Sequence, residues 1–461
     1  MNISPWKDTV LPYGISSLTI KVPSYCDILK MKCVPAVEDP RSTIEKALSN
    51  PIQSPDLKSI IASRGKDPSR LTVAIAVSDD TRPVPYSGEK EEGILLPLLR
   101  RLDKAGIKAK NIKIIVATGT HQPTSEKWKE KAFGMFIKNN YKIIDHNCLS
   151  PNLGCLGRIE GVPVKINRQF LEADVHIITG LVEPHFMAGA SGGRKAICPG
   201  LVNLETTHVF HGVDFMDNPQ ATNLVLEGNP CHRFALKVAR KVRVDFSLNI
   251  TLNGEEQLTG VFAGDLEEAH LKAGEKMRED CVIPVNHEYD LVLTQGGSMA
   301  VNHYQAAKAA YGVIPIIKRG GMVILVAHNS AEEAVGKDEY KKVINVLNDK
   351  GPGKFTEFIR GTSWQFIPDQ WQVQKWDQFF SKIGAFDRLI YCTTNITPED
   401  LQKLPGRSGY DFVEDEKISA AKMVQRALLY ALEEVRQEVK RESTMALVRE
   451  GPYAVPVLQG Q

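Results

Sequence analysis

The feature that most constrains this chain is a series of short apolar runs rich in β-branched residues. "LTVAIAV" (71–77), "IKIIVAT" (112–118), "YKIIDH" (141–146) and "DVHIIT" (174–179) are largely apolar, without polar–apolar alternation. Such runs fit strands covered on both faces, as in a parallel sheet. Between the first two lies "EEGILLPLLRRLDKAG", whose apolar spacing fits an amphipathic helix despite Pro97. Strand and helix alternating at this spacing predict βαβ units and a wound α/β sheet. A second series follows the charged helix "DLEEAHLKAGEKMRED" (265–280). It contains "DLVLTQ" (290–295), the helical "YQAAKAAYG", "GMVILVA" (321–327), "RLIYCTT" (388–394), a long helix around 415–441 and a last strand, "MALVRE". A chain of 461 residues exceeds what one core usually supports, so two domains are expected. The expectation is therefore α/β: two wound α/β domains, 1–282 and 283–461, with a functional cleft between them. Pattern leaves open whether the tail, 440–461, packs on the first domain.

Charge and cysteine content narrow the partners. The net charge is 57 − 55 = +2 with no long basic block, so no nucleic-acid partner is expected. No apolar run approaches the roughly 20 residues a membrane helix needs, and no membrane partner is expected. The start, "MNISPWKDTVLPYG", lacks the layout of a secretory signal. The eight cysteines are scattered without CxxC spacing, which predicts reduced thiols in a cytoplasmic protein.

In open α/β sheets ligands sit beyond the carboxyl ends of the strands, so the segments that follow the strands are the place to look. They read "SDDTRPVP", "GTHQPTS", "GLVEPHFMAGASGGRK" and "GGSMAVNHYQAAK". Each carries polar residues that a plain connector does not require. Within the third, Gly189-Ala190-Ser191-Gly192-Gly193 formally matches the G-x-S-x-G nucleophile elbow. The elbow places its serine at a turn directly off a strand, and here the strand ends about ten residues earlier. The same glycines permit close backbone approach to a phosphate, with Lys195 in the first turn of a following helix; a flexible loop with a solvated lysine is the alternative. No G-x-G-x-x-G follows any predicted strand, against an ordinary dinucleotide site.

Among the 11 histidines, His121 and His185 each follow a predicted strand, and His208 and His211 lie beyond the glycine-lysine segment. A pair on facing loops suits general acid/base work, whereas a lone histidine more often caps or packs. Zinc is disfavoured, because no H-x-x-x-H or cysteine pair accompanies them. Arg82 is suited to bidentate capture of a carboxylate or to an ion pair with Asp79 or Asp80. Lys308 supplies either a second cation or a solvated helix face.

Taken together, "SDDTRP", "GTH", "EPHxxAGxSGGRKxxxPG", a histidine sixteen residues beyond that lysine, "GNP" (228–230) and "YQAAK" resemble, in order, the motifs of the nickel-pincer-nucleotide enzymes, the lactate racemase family. The resemblance runs from about residue 10 to "GPYAVPVL". It implies nickel and a nickel-pincer nucleotide (pyridinium-3-thioamide-5-thiocarboxylic acid mononucleotide) tethered to Lys195, with His211 as the protein's ligand to the metal. A four-coordinate site of soft sulfur donors and one imidazole suits Ni(II). The resemblance further implies that Asp79, Thr81, Gly189, Ser191, Gly192 and Gly193 contact the cofactor. His121 and His185 become the acid/base pair, while Arg82, Lys308, Tyr304, Gln305 and Trp371 bind substrate.

The implied activity is racemisation or epimerisation of a small 2-hydroxy acid. One histidine takes the hydroxyl proton while the C2 hydride moves to the cofactor, and the flat keto acid accepts the hydride back on either face. Enzymes that build the pincer and insert nickel are the implied protein partners. Asp80 is placed to tune substrate choice, and a dicarboxylate substrate requires a further cation, for which Arg194 stands by position. The competing readings are a nicotinamide-dependent 2-hydroxyacid dehydrogenase and a non-catalytic nickel-nucleotide binding protein.

Overall fold

A computed structural model describes residues 5–87 and 93–460. The chain divides into two units, one of residues 33–280 and one of residues 1–32 with 281–461. This differs from the expected division at 282/283 in one substantial way: the first 32 residues belong with the C-terminal half. The reason is strand pairing. Asp27–Leu29, a strand too short to stand out in the sequence, pairs in parallel with Met445–Val448. The tail also stays with the second unit, because Val455–Leu458 pairs with Val282–Val285.

The unit 33–280 is built on a six-stranded sheet. Its order is Leu258–Gly264, Phe246–Leu252, Val175–Leu181, Val73–Val77, Ile112–Val116, Lys142–Asp145. Every pairing is parallel except that of the edge strand Leu258–Gly264. All five residues of Val73–Val77 and all seven of Val175–Leu181 are buried. Burying each large apolar side chain stabilises by about 1.5–3 kcal/mol, so strands of this composition are held at the sheet centre. The helix Leu95–Lys104 turns Leu95, Leu98, Leu99 and Leu102 inward, and Pro97 sits in its first turn where no hydrogen bond is lost. The start of that predicted stretch, Glu91 and Glu92, lies outside the described residues.

The other unit carries a second six-stranded sheet, parallel throughout. Its order is Arg407–Ser408, Leu389–Cys392, Ile317–Val326, Tyr289–Gln295, Met445–Val448, Asp27–Leu29. The helix Ala420–Val439 covers one face through Met423, Val424, Ala427, Leu428 and Ala431. Asp290, at the start of its strand, is held by Lys318, Arg441 and Thr444 and so remains ionised well below the usual carboxylate range, although burial alone pushes it up. The polar stretch 330–365 forms the helices Asp338–Lys350 and Phe355–Arg360. Among the described residues no helix is long and apolar enough to cross a membrane. None of the eight cysteines is in a disulfide, and five are buried.

Candidate active site

Three segments at the carboxyl ends of the central strands of the unit 33–280 carry the candidate residues. After Val73–Val77 the chain turns through Asp79, whose Oδ1 accepts from the Thr81 hydroxyl at 2.6 Å and whose Oδ2 lies 2.5 Å from His121 Nδ1. Burial pushes the Asp79 carboxyl up, but His121, Thr81 and Arg82 outweigh it and hold the group ionised below the ordinary value. An ionised acceptor fixes the His121 tautomer: Nδ1 carries the proton and Nε2 is left as the basic nitrogen. The His121 side chain is half exposed while that of Asp79 is 6% exposed, so a buried anchor orients a reachable ring. Asp80 behaves oppositely, its carboxyl raised by burial and by the neighbouring Asp79 charge.

His185 follows Val175–Leu181 and lies in a two-residue antiparallel pairing, Pro184–His185 against Gly189–Ala190. Its Nδ1 accepts from the backbone N–H groups of Met187 and Ala188, each at 3.2 Å. The neutral ring therefore carries its proton on Nε2. The two histidines rest in opposite tautomers, one offering a lone pair and the other an N–H.

The glycines of the third segment serve packing. A Cβ on Gly189 would stand 2.1 Å from the Val225 carbonyl oxygen, one on Gly192 2.8 Å from Val182 Cγ2, and one on Gly193 2.5 Å from His270 Cδ2. All three have positive φ. The Gly193 N–H donates to Asn249 Oδ1 at 2.9 Å, and the Ser191 hydroxyl donates to the Leu181 carbonyl at 2.7 Å while accepting from the Glu183 N–H. These glycines thus let the loop pack on its own protein, where close approach to an anion was the sequence-based reason for them. The expected helix after them is also absent: Gly193–Ala196 is a four-residue 3₁₀ turn. Replacing Gly189 with alanine is expected to destabilise the unit by about 1–3 kcal/mol from backbone strain alone, before the clash is counted. Urea denaturation checks this; an unchanged midpoint would refute the packing account.

Arg194 is not a substrate cation. Its guanidinium is buried, with Nη2 donating to the Ala188 carbonyl at 2.7 Å and Nη1 2.8 Å from His270 Nε2. It ties the two ends of the loop together. Arg82 has Glu183 as its partner, Nε to Oε1 at 2.7 Å, where Asp79 or Asp80 was the expected alternative.

His211 ends the helix Leu204–Phe210. Burial, then the positive fields of Lys195, His121 and His208, hold its imidazole well below the ordinary histidine range. It is therefore neutral at pH 7, the form that ligates a metal. The chemistry of that donor, a neutral nitrogen beside a lysine, fits a soft metal bound partly by a lysine-linked group. Among the described residues no group of three or more His, Cys, Asp or Glu could hold a metal by itself.

The remaining candidates lie in the other unit. The Trp371 indole donates to the Tyr304 hydroxyl at 2.9 Å, and Gln372 holds the Tyr304 carbonyl. Lys308 Nζ lies 3.2 Å from Met299 Sδ, and the Gln305 backbone N–H is capped by Asn302. The Gln305 Oε1 is buried without a hydrogen-bond partner, which leaves an acceptor beside Tyr304 and Lys308. Sequence reasoning gave no role to Glu183, Asn249 or His270. Asn249, polar in the buried run "FSLNITL", carried a signal; His270, on a charged helix, carried none.

A wound α/β unit that carries two oppositely poised histidines, one backed by a buried carboxylate, has the parts that general acid/base chemistry requires. Comparison with known proteins specifies the class. Residues 13–223 match the model of the lactate racemase N-terminal domain. The chain is 30% identical over 440 residues to lactate racemase of Thermoanaerobacterium thermosaccharolyticum, covering 93% of this chain and 95% of that protein. It is 32% identical over 366 residues to lactate racemase of Lactiplantibacillus plantarum, covering 78% of this chain and 81% of that one. The lactate racemase apoprotein structure from T. thermosaccharolyticum superposes with a TM-score of 0.82 at 26% identity, covering 98% of this chain and 100% of that one. A Thermotoga maritima protein shares the fold, with a TM-score of 0.59 at 18% identity over 87% of this chain and 97% of its own. The chain belongs to the lactate racemase family and is an isomerase of the racemase type.

Proposed function

We propose that the protein interconverts the enantiomers, or epimers, of a small 2-hydroxy acid with a nickel-pincer nucleotide linked to Lys195. His211 is the protein's ligand to nickel, and what supports this reading is its place at the end of the helix Leu204–Phe210, where burial and the neighbouring Lys195 keep the imidazole neutral. When bound, the group supplies a reversible acceptor for the C2 hydride. The protein does the rest. His121, oriented by Asp79, takes the hydroxyl proton of one enantiomer at Nε2, and His185 serves the other hand. Arg82 holds the carboxylate; Lys308, Tyr304, Gln305 and Trp371 supply further substrate contacts. Asp79, Thr81, Gly189, Ser191, Gly192 and Gly193 shape the cofactor's surroundings. Enzymes that build the pincer and insert nickel are the partners, and the cytoplasm, where scattered cysteines stay reduced, is the compartment.

The test is intact mass and metal analysis of protein made together with the pincer-building enzymes, followed by polarimetry on D- and L-lactate and larger 2-hydroxy acids. The expected result is a mononucleotide-sized adduct on Lys195, about one nickel per chain and loss of optical rotation. If a relative loads in the same cells while this chain gains neither adduct nor nickel, the reading is wrong.

A further inference from the structure

We propose that Glu183 is a positioning residue: it clamps Arg82 so that a substrate carboxylate is presented at a fixed place relative to both acid/base histidines. The inference rests on the racemase reading above and adds a residue to it.

Glu183 lies two positions before His185, and its backbone is fixed on both sides. Its N–H donates to the Ser191 hydroxyl at 3.0 Å, and its carbonyl accepts from the Ser191 N–H at 3.0 Å. Its side chain is 11% exposed and that of Arg82 is 17% exposed, so this ion pair is largely shielded from water. The carboxylate occupies Arg82 Nε, while Arg82 Nη1 donates to the Thr81 carbonyl at 2.8 Å. A guanidinium offers a carboxylate two edges, side-on through Nε and end-on through the two Nη atoms. Glu183 beside Nε and the Thr81 carbonyl on Nη1 hold the guanidinium from two sides, so it meets a bound carboxylate in one orientation.

The same pair joins two loops. The backbone N–H of Arg82 bonds to the Asp79 carbonyl at 3.3 Å, and Asp79 orients His121. Glu183 is separated from His185 only by Pro184, in a short strand pairing. Arg82–Glu183 thus ties the loop that orients His121 to the loop that carries His185. Racemisation demands that the carboxylate stay put while the C2 substituents exchange faces, and a guanidinium anchored at Nε meets that demand. A misplacement of about 1 Å at such a site costs roughly 100-fold in rate.

The test compares Glu183→Gln and Glu183→Asp with the unaltered protein, in the loaded enzyme with lactate and in the cofactor-free protein by lactate titration calorimetry. Glutamine keeps the shape but removes the charge that holds Nε. The expected result is unchanged melting and nickel content, lactate affinity that holds or tightens as Arg82 sheds its counter-ion, and kcat lowered by roughly 10- to 100-fold. Glu183→Asp, which keeps the charge, is expected to recover part of kcat. An unchanged kcat, or equal loss of affinity and kcat with a lowered melting temperature, overturns the proposal, the latter marking a purely structural role. If the unaltered loaded protein does not racemise any 2-hydroxy acid, the racemase reading fails. The calorimetry still reads the clamp, because Arg82→Ala must abolish lactate binding and Glu183→Gln must not.

Discussion

Replacing Lys195 with alanine is expected to abolish the mass adduct and reduce racemisation to the uncatalysed background. In the proposed function the hydride chemistry resides in the cofactor, so a protein that cannot retain it has no residual route. The fold is expected to survive. Lys195 sits in a short 3₁₀ turn whose position is held by other groups: Arg194 bonds to Ala188, Gly193 to Asn249 and the Gly200 N–H to the Lys195 carbonyl. None of these uses the lysine side chain. Intact mass spectrometry and melting temperature measured together decide the matter. An adduct retained at full occupancy on the variant would place the tether elsewhere.

The second large effect is expected at the histidine pair. His121→Asn and His185→Asn should each lower kcat by about 10²- to 10⁴-fold, the usual worth of general acid/base catalysis, with adduct and nickel intact. The geometry makes the two substitutions inequivalent in stability. His121 is half exposed and bonded to one carboxylate, so its loss frees a buried Asp79 charge that only Thr81 and Arg82 then compensate. His185 is buried and accepts two backbone N–H groups through Nδ1, a role that an asparagine carbonyl can also fill. His121→Asn is therefore expected to be the more destabilising of the two in denaturant titration. Retention of full kcat in both variants would favour a non-catalytic carrier of the nickel nucleotide.

Arg82 and Glu183 show why motif reading and geometry answer different questions. The local sequence "SDDTRP" offers Arg82 two acidic neighbours, yet its partner comes from 101 positions downstream. Asp79 is committed to His121 and Thr81, while the Asp80 carboxyl is pushed up by burial and by the Asp79 charge. The glycine segment repeats the lesson. Positive φ is legible from glycine itself, but whether the freed space admits an anion or the protein's own atoms depends on Val225, Val182 and His270.

What the sequence determined by itself was everything that follows from local pattern. Apolar β-branched runs dictated buried parallel strands, their spacing dictated the wound α/β class, and ordered motifs dictated the family. Those signals are short-range, so one chain suffices to read them. Tertiary structure alone decided what depends on pairing between distant segments. Asp27–Leu29 joins the C-terminal sheet because a three-residue strand has no periodicity of its own and gains its stability from Met445–Val448 beside it. The protonation of His211, the opposite tautomers of His121 and His185, and the Arg82–Glu183 clamp were likewise decided there. For His211, His121 and Arg82 the deciding partner comes from far along the chain; for His185 it is the local bend that aims the N–H groups of Met187 and Ala188 at Nδ1.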